Sequence, residues 1–144
     1  MMIRTLRKNE VNKVSGIVRA NYSKTFEKRA RKEMNAMFAK EVIRPHFIVA
    51  EDKNRMVGFA GYVQSWEDYS VYELLWVNVL PEQQHKGIGT ALVREAIRHI
   101  RKRRGIDKAH LVSITTTFPK FYKKLGFKIV KSLEKKYKLM VRKL

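Results

Sequence analysis

The chain has 144 residues, 44% of them hydrophobic and 31% charged, with no cysteine. That is the size of one domain with its own core, and it excludes a disordered chain, a disulfide scaffold, a thiolate nucleophile and any cysteine-ligated metal. Lys and Arg number 32 against 13 Asp and Glu, a net charge of +19, so the surface attracts polyanions: nucleic acid, an acidic membrane or a phosphorylated small molecule.

No N-terminal run suits a signal peptide, and no stretch approaches the roughly 18–20 apolar residues of a membrane helix. The expectation is a cytoplasmic protein away from the membrane. No linker, repeat or low-complexity segment divides residues 1–144, which read as a single domain.

Met2–Leu6 reads as a first strand. Asn9 is the predicted N-cap of a helix carrying Val11, Val14, Ile17, Val18 and Tyr22 at helical spacing. Ser23 caps a second helix, with Phe26, Ala30, Met34, Met37 and Phe38 on one side and Lys24, Lys28, Arg29, Arg31 and Lys32 on the other. That basic side is either a solvated face or a surface for an acidic protein or RNA. Pro45 closes this helical region. Phe47–Ala50 and Met56–Gln64 follow as strands, the second with Gly58 and Gly61, which suggest close backbone approach or a bulge. Val71–Leu80 is apolar on both sides except for Glu73 and Asn78, hence a central strand. Gly87–Arg104 is an amphipathic helix, with Arg101–Arg104 at the negative end of its dipole and Gly105 at C′. Ala109–Ile114 is a strand and Pro119–Leu125 a short helix. Phe127–Val130 and Lys136–Val141 are a closing strand pair. The order β-α-α-β-β-β-α-β-α-β-β is that of a mixed α/β sheet.

Between the central strand and its helix lies Pro81-Glu82-Gln83-Gln84-His85-Lys86-Gly87-Ile88-Gly89-Thr90. Two glycines at i and i+2 allow a tight turn that exposes successive N–H groups. The positive end of the following helix points to the same place, an arrangement suited to a pyrophosphate. The segment lacks the spacing of a Walker loop and the third glycine of a dinucleotide fingerprint. A plain strand-to-helix turn is the other reading of these residues alone.

The pattern Gln84-x-x-Gly87-x-Gly89 resembles the acetyl-CoA signature of the GNAT superfamily of N-acetyltransferases. Val79-Leu80-Pro81 before it, Phe121-Tyr122-Lys123-Lys124-Leu125-Gly126-Phe127 and the closing Leu139–Leu144 are similar to that family as well. The resemblance covers His46 to Leu144. It implies a mostly antiparallel mixed sheet with a splayed central strand pair and about four flanking helices. Residues 46–144 would be the acetyl-CoA-binding core and 1–45 the acceptor-side helical region.

By the same resemblance, backbone groups around Val77 and Val79 pair with the pantetheine arm. Gln84, His85, Lys86, Gly87, Ile88, Gly89 and Thr90 hold the pyrophosphate. Tyr122 protonates the departing thiolate. Thr115 stands where many relatives carry an asparagine against the cofactor. The implied activity is direct acetyl transfer from acetyl-CoA to a primary amine, on a small molecule or a protein, by a monomer or homodimer.

An ammonium must lose a proton before it attacks. Glu73, read as sharing its face with Val71, Leu75, Val77 and Val79, is the candidate base; the alternative is a carboxylate paired with one of the many cations. Tyr122 and Phe121 are otherwise core aromatics. Glu67, Asp68 and Glu73 together suggest a local acidic pocket for an amine, or else a solvated turn. Trp66 and Trp76 read as core or acceptor-pocket walls. His46, His99 and His110 lack metal-ligand spacing, so no metal is expected. The competing reading, from the +19 charge alone, is a basic nucleic-acid-binding module that keeps this fold, with nonspecific binding its weakest form.

Overall fold

A computed structural model describes residues 1–103 and 108–144. Arg104 and Gly105, the predicted helix end and C′ residue, lie outside the described residues. The strands are β1 (Met2–Thr5), β2 (His46–Asp52), β3 (Arg55–Gln64), β4 (Val71–Val79), β5 (Leu111–Thr116), β6 (Lys128–Ser132) and β7 (Lys138–Lys143). The helices are α1 (Val11–Asn21), α2 (Lys24–Ala36), α3 (Ile88–Lys102) and α4 (Pro119–Lys123). One seven-stranded sheet runs β1-β2-β3-β4-β5-β7-β6, antiparallel throughout except between β4 and β5.

β2 shows why the central strands read as continuous apolar runs. Phe47 and Val49 join the core under α1 and α2, whereas Ile48 and Ala50 join the core under α3. All four are buried, as a strand covered on both faces requires. A Cβ on Gly58 would sit 2.9 Å from the Asn78 carbonyl oxygen, the close backbone approach expected, whereas one on Gly61 would sit 2.5 Å from a Phe47 ring carbon, so that glycine makes room for a side chain instead.

The helix starts divide. Ser23 caps α2 as expected, its hydroxyl accepting from Phe26 N–H at 3.2 Å. Asn9 does not cap α1. Lys8–Glu10 form a turn of 3₁₀ helix, and Glu10 accepts from Arg7 N–H at 2.9 Å while pairing with the Arg4 guanidinium at 2.7 Å. The longer carboxylate reaches both the backbone donor and the cation, which Asn9 has no charge to attract.

Two irregularities position the site. First, β4 and β5 pair only from Val71–Glu73 to Leu111–Ser113. Beyond that rung the two parallel strands separate, which is the splay expected from the resemblance. Second, β4 bulges opposite Ala60, with Trp76 in the left-handed region at φ 50°. An extra residue in one strand exchanges the faces of everything after it. Tyr72 and Leu74 before the bulge, and Val77 and Val79 after it, pack toward α3, whereas Trp76 packs toward α1 and α2. Glu73 therefore does not share a face with Val77 and Val79, contrary to the simple alternation read from the sequence.

Candidate functional site

The bend after β4 is built from backbone. Leu80 N–H bonds the Val57 carbonyl at 2.8 Å, and Pro81–Gln83 form a 3₁₀ turn. His85 at φ 62° and Gly87 at φ 84° then take left-handed conformations. Gly87 is the N-cap of α3 and no side chain caps that end. The first internal bond of α3 runs from Ala91 N–H to the Gly87 carbonyl at 3.0 Å, so the N–H groups of Ile88, Gly89 and Thr90 have no acceptor within the helix. They lie at the positive end of a 15-residue helix dipole. His85 and Lys86 are exposed beside them. Ile88 buries its side chain and offers only its amide.

The two glycines differ. Gly87 is required by its φ, and a side chain there would meet open space. Gly89 is helical, and a Cβ on it would lie 3.3 Å from the Phe121 ring. Its small size lets α4 approach α3; it does not make space on the anion side.

The Gln84 side chain is also committed inward. Its Nε2 donates to Asn21 Oδ1 at 3.0 Å and to the Val79 carbonyl at 3.1 Å. Asn21 Nδ2 donates to the same carbonyl at 2.8 Å and to Asn78 Oδ1 at 3.1 Å. Both protons of the Gln84 amide and both lone pairs of the Val79 carbonyl are spent. Gln84 thus holds the bend against α1 and β4, and Val79 offers no free carbonyl. Asn21 was not singled out from the sequence. The available signal was Asn78, a carboxamide in an apolar strand that needs a buried partner.

The splay opens a cleft of about 270 Å³. Leu74, Trp76, Val77 and Asn78 line it from β4, Ile114–Thr117 from β5 and its end, and Phe118 and Tyr122 from the segment that follows. Thr115 reaches this cleft, as does Tyr122, whose ring is buried against Phe121 and Phe127 at centroid distances of 4.8 and 5.5 Å. Burial, and then the neighbouring Tyr22, hold the Tyr122 hydroxyl well above the usual tyrosine range, so it stays protonated at any physiological pH. Tyr22, Phe26 and Tyr137 complete the cleft mouth.

Among the described residues, no carboxylate lines this cleft. Glu73 is exposed, on the last rung before the strands part, and burial of its carboxyl followed by repulsion from Glu67 raises its pKa above the ordinary range. Asp68 is occupied in a turn, accepting from Ser70 N–H at 2.9 Å and Ser70 Oγ at 2.7 Å. The acidic pocket suggested by Glu67, Asp68 and Glu73 is thus outside the cleft wall. Trp76 is a wall residue, and Trp66 is exposed to solvent.

Residues 44–129 match the family described as the acetyltransferase (GNAT) domain. A search of curated proteins finds no significant match. Among solved structures, a GNAT-family acetyltransferase structure from Desulfovibrio desulfuricans superposes with a TM-score of 0.83 at 20% identity, covering 99% of this chain and 97% of that one. The aminoglycoside 6′-N-acetyltransferase from Enterococcus faecium gives 0.79 at 18% identity, covering 99% and 97%. An N-acetyltransferase from Thermoplasma acidophilum in complex with coenzyme A gives 0.76 at 21% identity, covering 99% and 98%. At these identities the likeness is one of fold. Nothing in these comparisons supports the nucleic-acid-binding reading.

Proposed function

Because the chain belongs to the GNAT acetyltransferase family, we propose that it transfers an acetyl group from acetyl-CoA to a primary amine, with both substrates bound together. The observation that carries this reading is the bend at Gln84–Thr90, with unpaired amides at the start of α3, set beside the opening between β4 and β5. The amides of Ile88, Gly89 and Thr90, with His85 and Lys86, suit a diphosphate. The unpaired stretch of β4 around Val77, facing Thr115 across the cleft, suits an extended amide-bearing arm. Coenzyme A, which supplies the acetyl thioester, has both parts.

The amine nitrogen attacks the thioester carbonyl carbon, a C–N bond forms and the C–S bond breaks. Glu73, which stands outside the cleft wall, takes one proton from the ammonium through water before attack. Its raised pKa makes it a better base than an ordinary carboxylate near neutral pH. Tyr122 gives its phenolic proton to the departing sulfur. The tyrosinate so formed takes the remaining excess proton from nitrogen, which restores the phenol. Absence of cysteine agrees with direct attack rather than an acyl-enzyme.

A thermal-shift titration with CoA, combined with thiol release from acetyl-CoA over a panel of amines and peptides, tests the reading. The expected result is stabilisation by CoA and one thiol released per acetylated amine, with intersecting initial-rate lines. No CoA stabilisation, or parallel lines with acetylated protein, would contradict it.

A further inference from the structure

We infer that the acceptor is a small amine bearing a single positive charge and an aromatic body, not a polycation. This rests on the acetyltransferase reading above and identifies the other substrate of the same cleft.

The mouth of the cleft is aromatic on several sides. Tyr22 from the end of α1 and Phe26 from α2 meet edge to face at 5.8 Å, and Phe26 meets Trp76 of β4 in the same way at 6.5 Å. Tyr137 stands ahead of β7 on the same cleft. Tyr22 and Phe26 are 56% and 40% exposed, so their rings are only partly buried by the protein itself. Apolar surface left open beside a reactive centre is stabilised by an apolar ligand.

A second observation points the same way. Trp76 holds a left-handed backbone, φ 50°, at the β4 bulge. A bulky residue in that region is strained and persists only where its surroundings enforce it. Here the bulge sets the indole on the cleft wall.

Charge excludes the alternative. Among the described residues, the polar part of the lining is hydroxyl and carboxamide, from Asn78 and Thr115–Thr117, with no carboxylate. The chain carries a net +19, and Arg29 lies over the Phe26 ring at 5.8 Å. A polyamine or an aminoglycoside would bring several ammonium groups into this field without a counter-charge. One ammonium is tolerated by the ring faces until it gives up its proton.

The test compares kcat/KM for 2-phenylethylamine, spermidine and kanamycin at saturating acetyl-CoA, with CoA stabilisation of the same protein read in parallel. Wild type is expected to prefer phenylethylamine over either polycation by about tenfold or more, a difference of about 1.4 kcal/mol. Phe26→Glu, which places a carboxylate at the half-exposed mouth, is expected to raise kcat/KM for spermidine and lower it for phenylethylamine with CoA stabilisation unchanged. Trp76→Phe keeps a ring on the wall, and its phenylethylamine KM should rise while kcat holds. A wild-type preference for spermidine or kanamycin, or a Phe26→Glu variant with an unaltered preference, overturns the inference and leaves acetyl transfer standing. Stabilisation by CoA with no turnover of any of the three amines overturns the inference alone. Absence of both overturns the reading beneath it as well.

Discussion

At its C-terminal end β4 runs into a bend of amides that have no acceptor in the helix and of cationic side chains; a few residues earlier the same strand lines a cleft of aromatic rings and hydroxyls. The bend depends on backbone conformation, with His85 and Gly87 in left-handed geometry and α3 supplying its dipole. The cleft depends on side-chain identity and on a failure of strand pairing beyond Glu73. One strand thus builds a polar bend and an aromatic cleft by leaving the sheet in two different ways. The carboxamide set Asn21, Asn78 and Gln84 lies where the two regions meet and ties both to α1.

The comparison is broken most severely at Tyr122. Tyr122→Phe keeps the ring between Phe121 and Phe127 but removes the proton donor. Turnover should fall by about 10²–10⁴-fold, the usual range for a general acid, with CoA affinity and melting temperature held. Near-wild-type kcat in that variant would reduce Tyr122 to a wall residue.

Gly89→Leu separates packing from phosphate contact. Its side chain would collide with Phe121, so the fold should lose about 1–3 kcal/mol in denaturant unfolding. Phe121→Ala in the same chain should recover part of that loss. Additive losses in the double variant would show that the close approach of α3 and α4 does not govern this position.

Asn21→Ala removes the link between the two regions. It leaves the buried Asn78 Oδ1 without its donor, a cost of about 1–3 kcal/mol, and leaves Gln84 Nε2 with only the Val79 carbonyl. CoA affinity should weaken with it, read by calorimetry, because the bend loses its hold on α1.

The smallest effect is a shift in a pH profile. Glu73 is raised by burial and then by Glu67, so the acidic limb of kcat/KM lies above the ordinary carboxylate range. Activity is present above that limb, where Glu73 is ionised, and is lost as pH falls through it. Glu67→Gln removes the repulsion and should move the limb to lower pH. Glu73→Gln should abolish the limb, and an unchanged profile in both variants would remove Glu73 from the reaction.

The bend was legible in the sequence because local rules govern it: glycine at a left-handed position, a proline ending the strand and an apolar stripe starting a helix. The succession of strands and helices along the chain was legible for the same reason, since burial on one or both faces leaves a period, whereas the splayed, mostly antiparallel sheet was implied only by the family resemblance. The β4 bulge was not. Nothing in the order Leu75-Trp76-Val77 signals an extra residue, and the bulge reversed the face assigned to Glu73 relative to Val77 and Val79. Gly89 and Gln84 were placed in the right loop, but their work is set by Phe121 and Asn21, residues distant in sequence. The aromatic mouth draws on α1, α2, β4 and the segment before β7, and only the tertiary fold brings Tyr22, Phe26, Trp76 and Tyr137 together.

The central claim is that the bend grips the diphosphate of coenzyme A through its backbone. Amide NMR shifts recorded on the full chain during titration with CoA, against pantetheine as the form without a diphosphate, test it most directly. The account predicts large shifts at Ile88, Gly89 and Thr90 with CoA and small ones there with pantetheine. CoA binding that leaves those amides unmoved would contradict it.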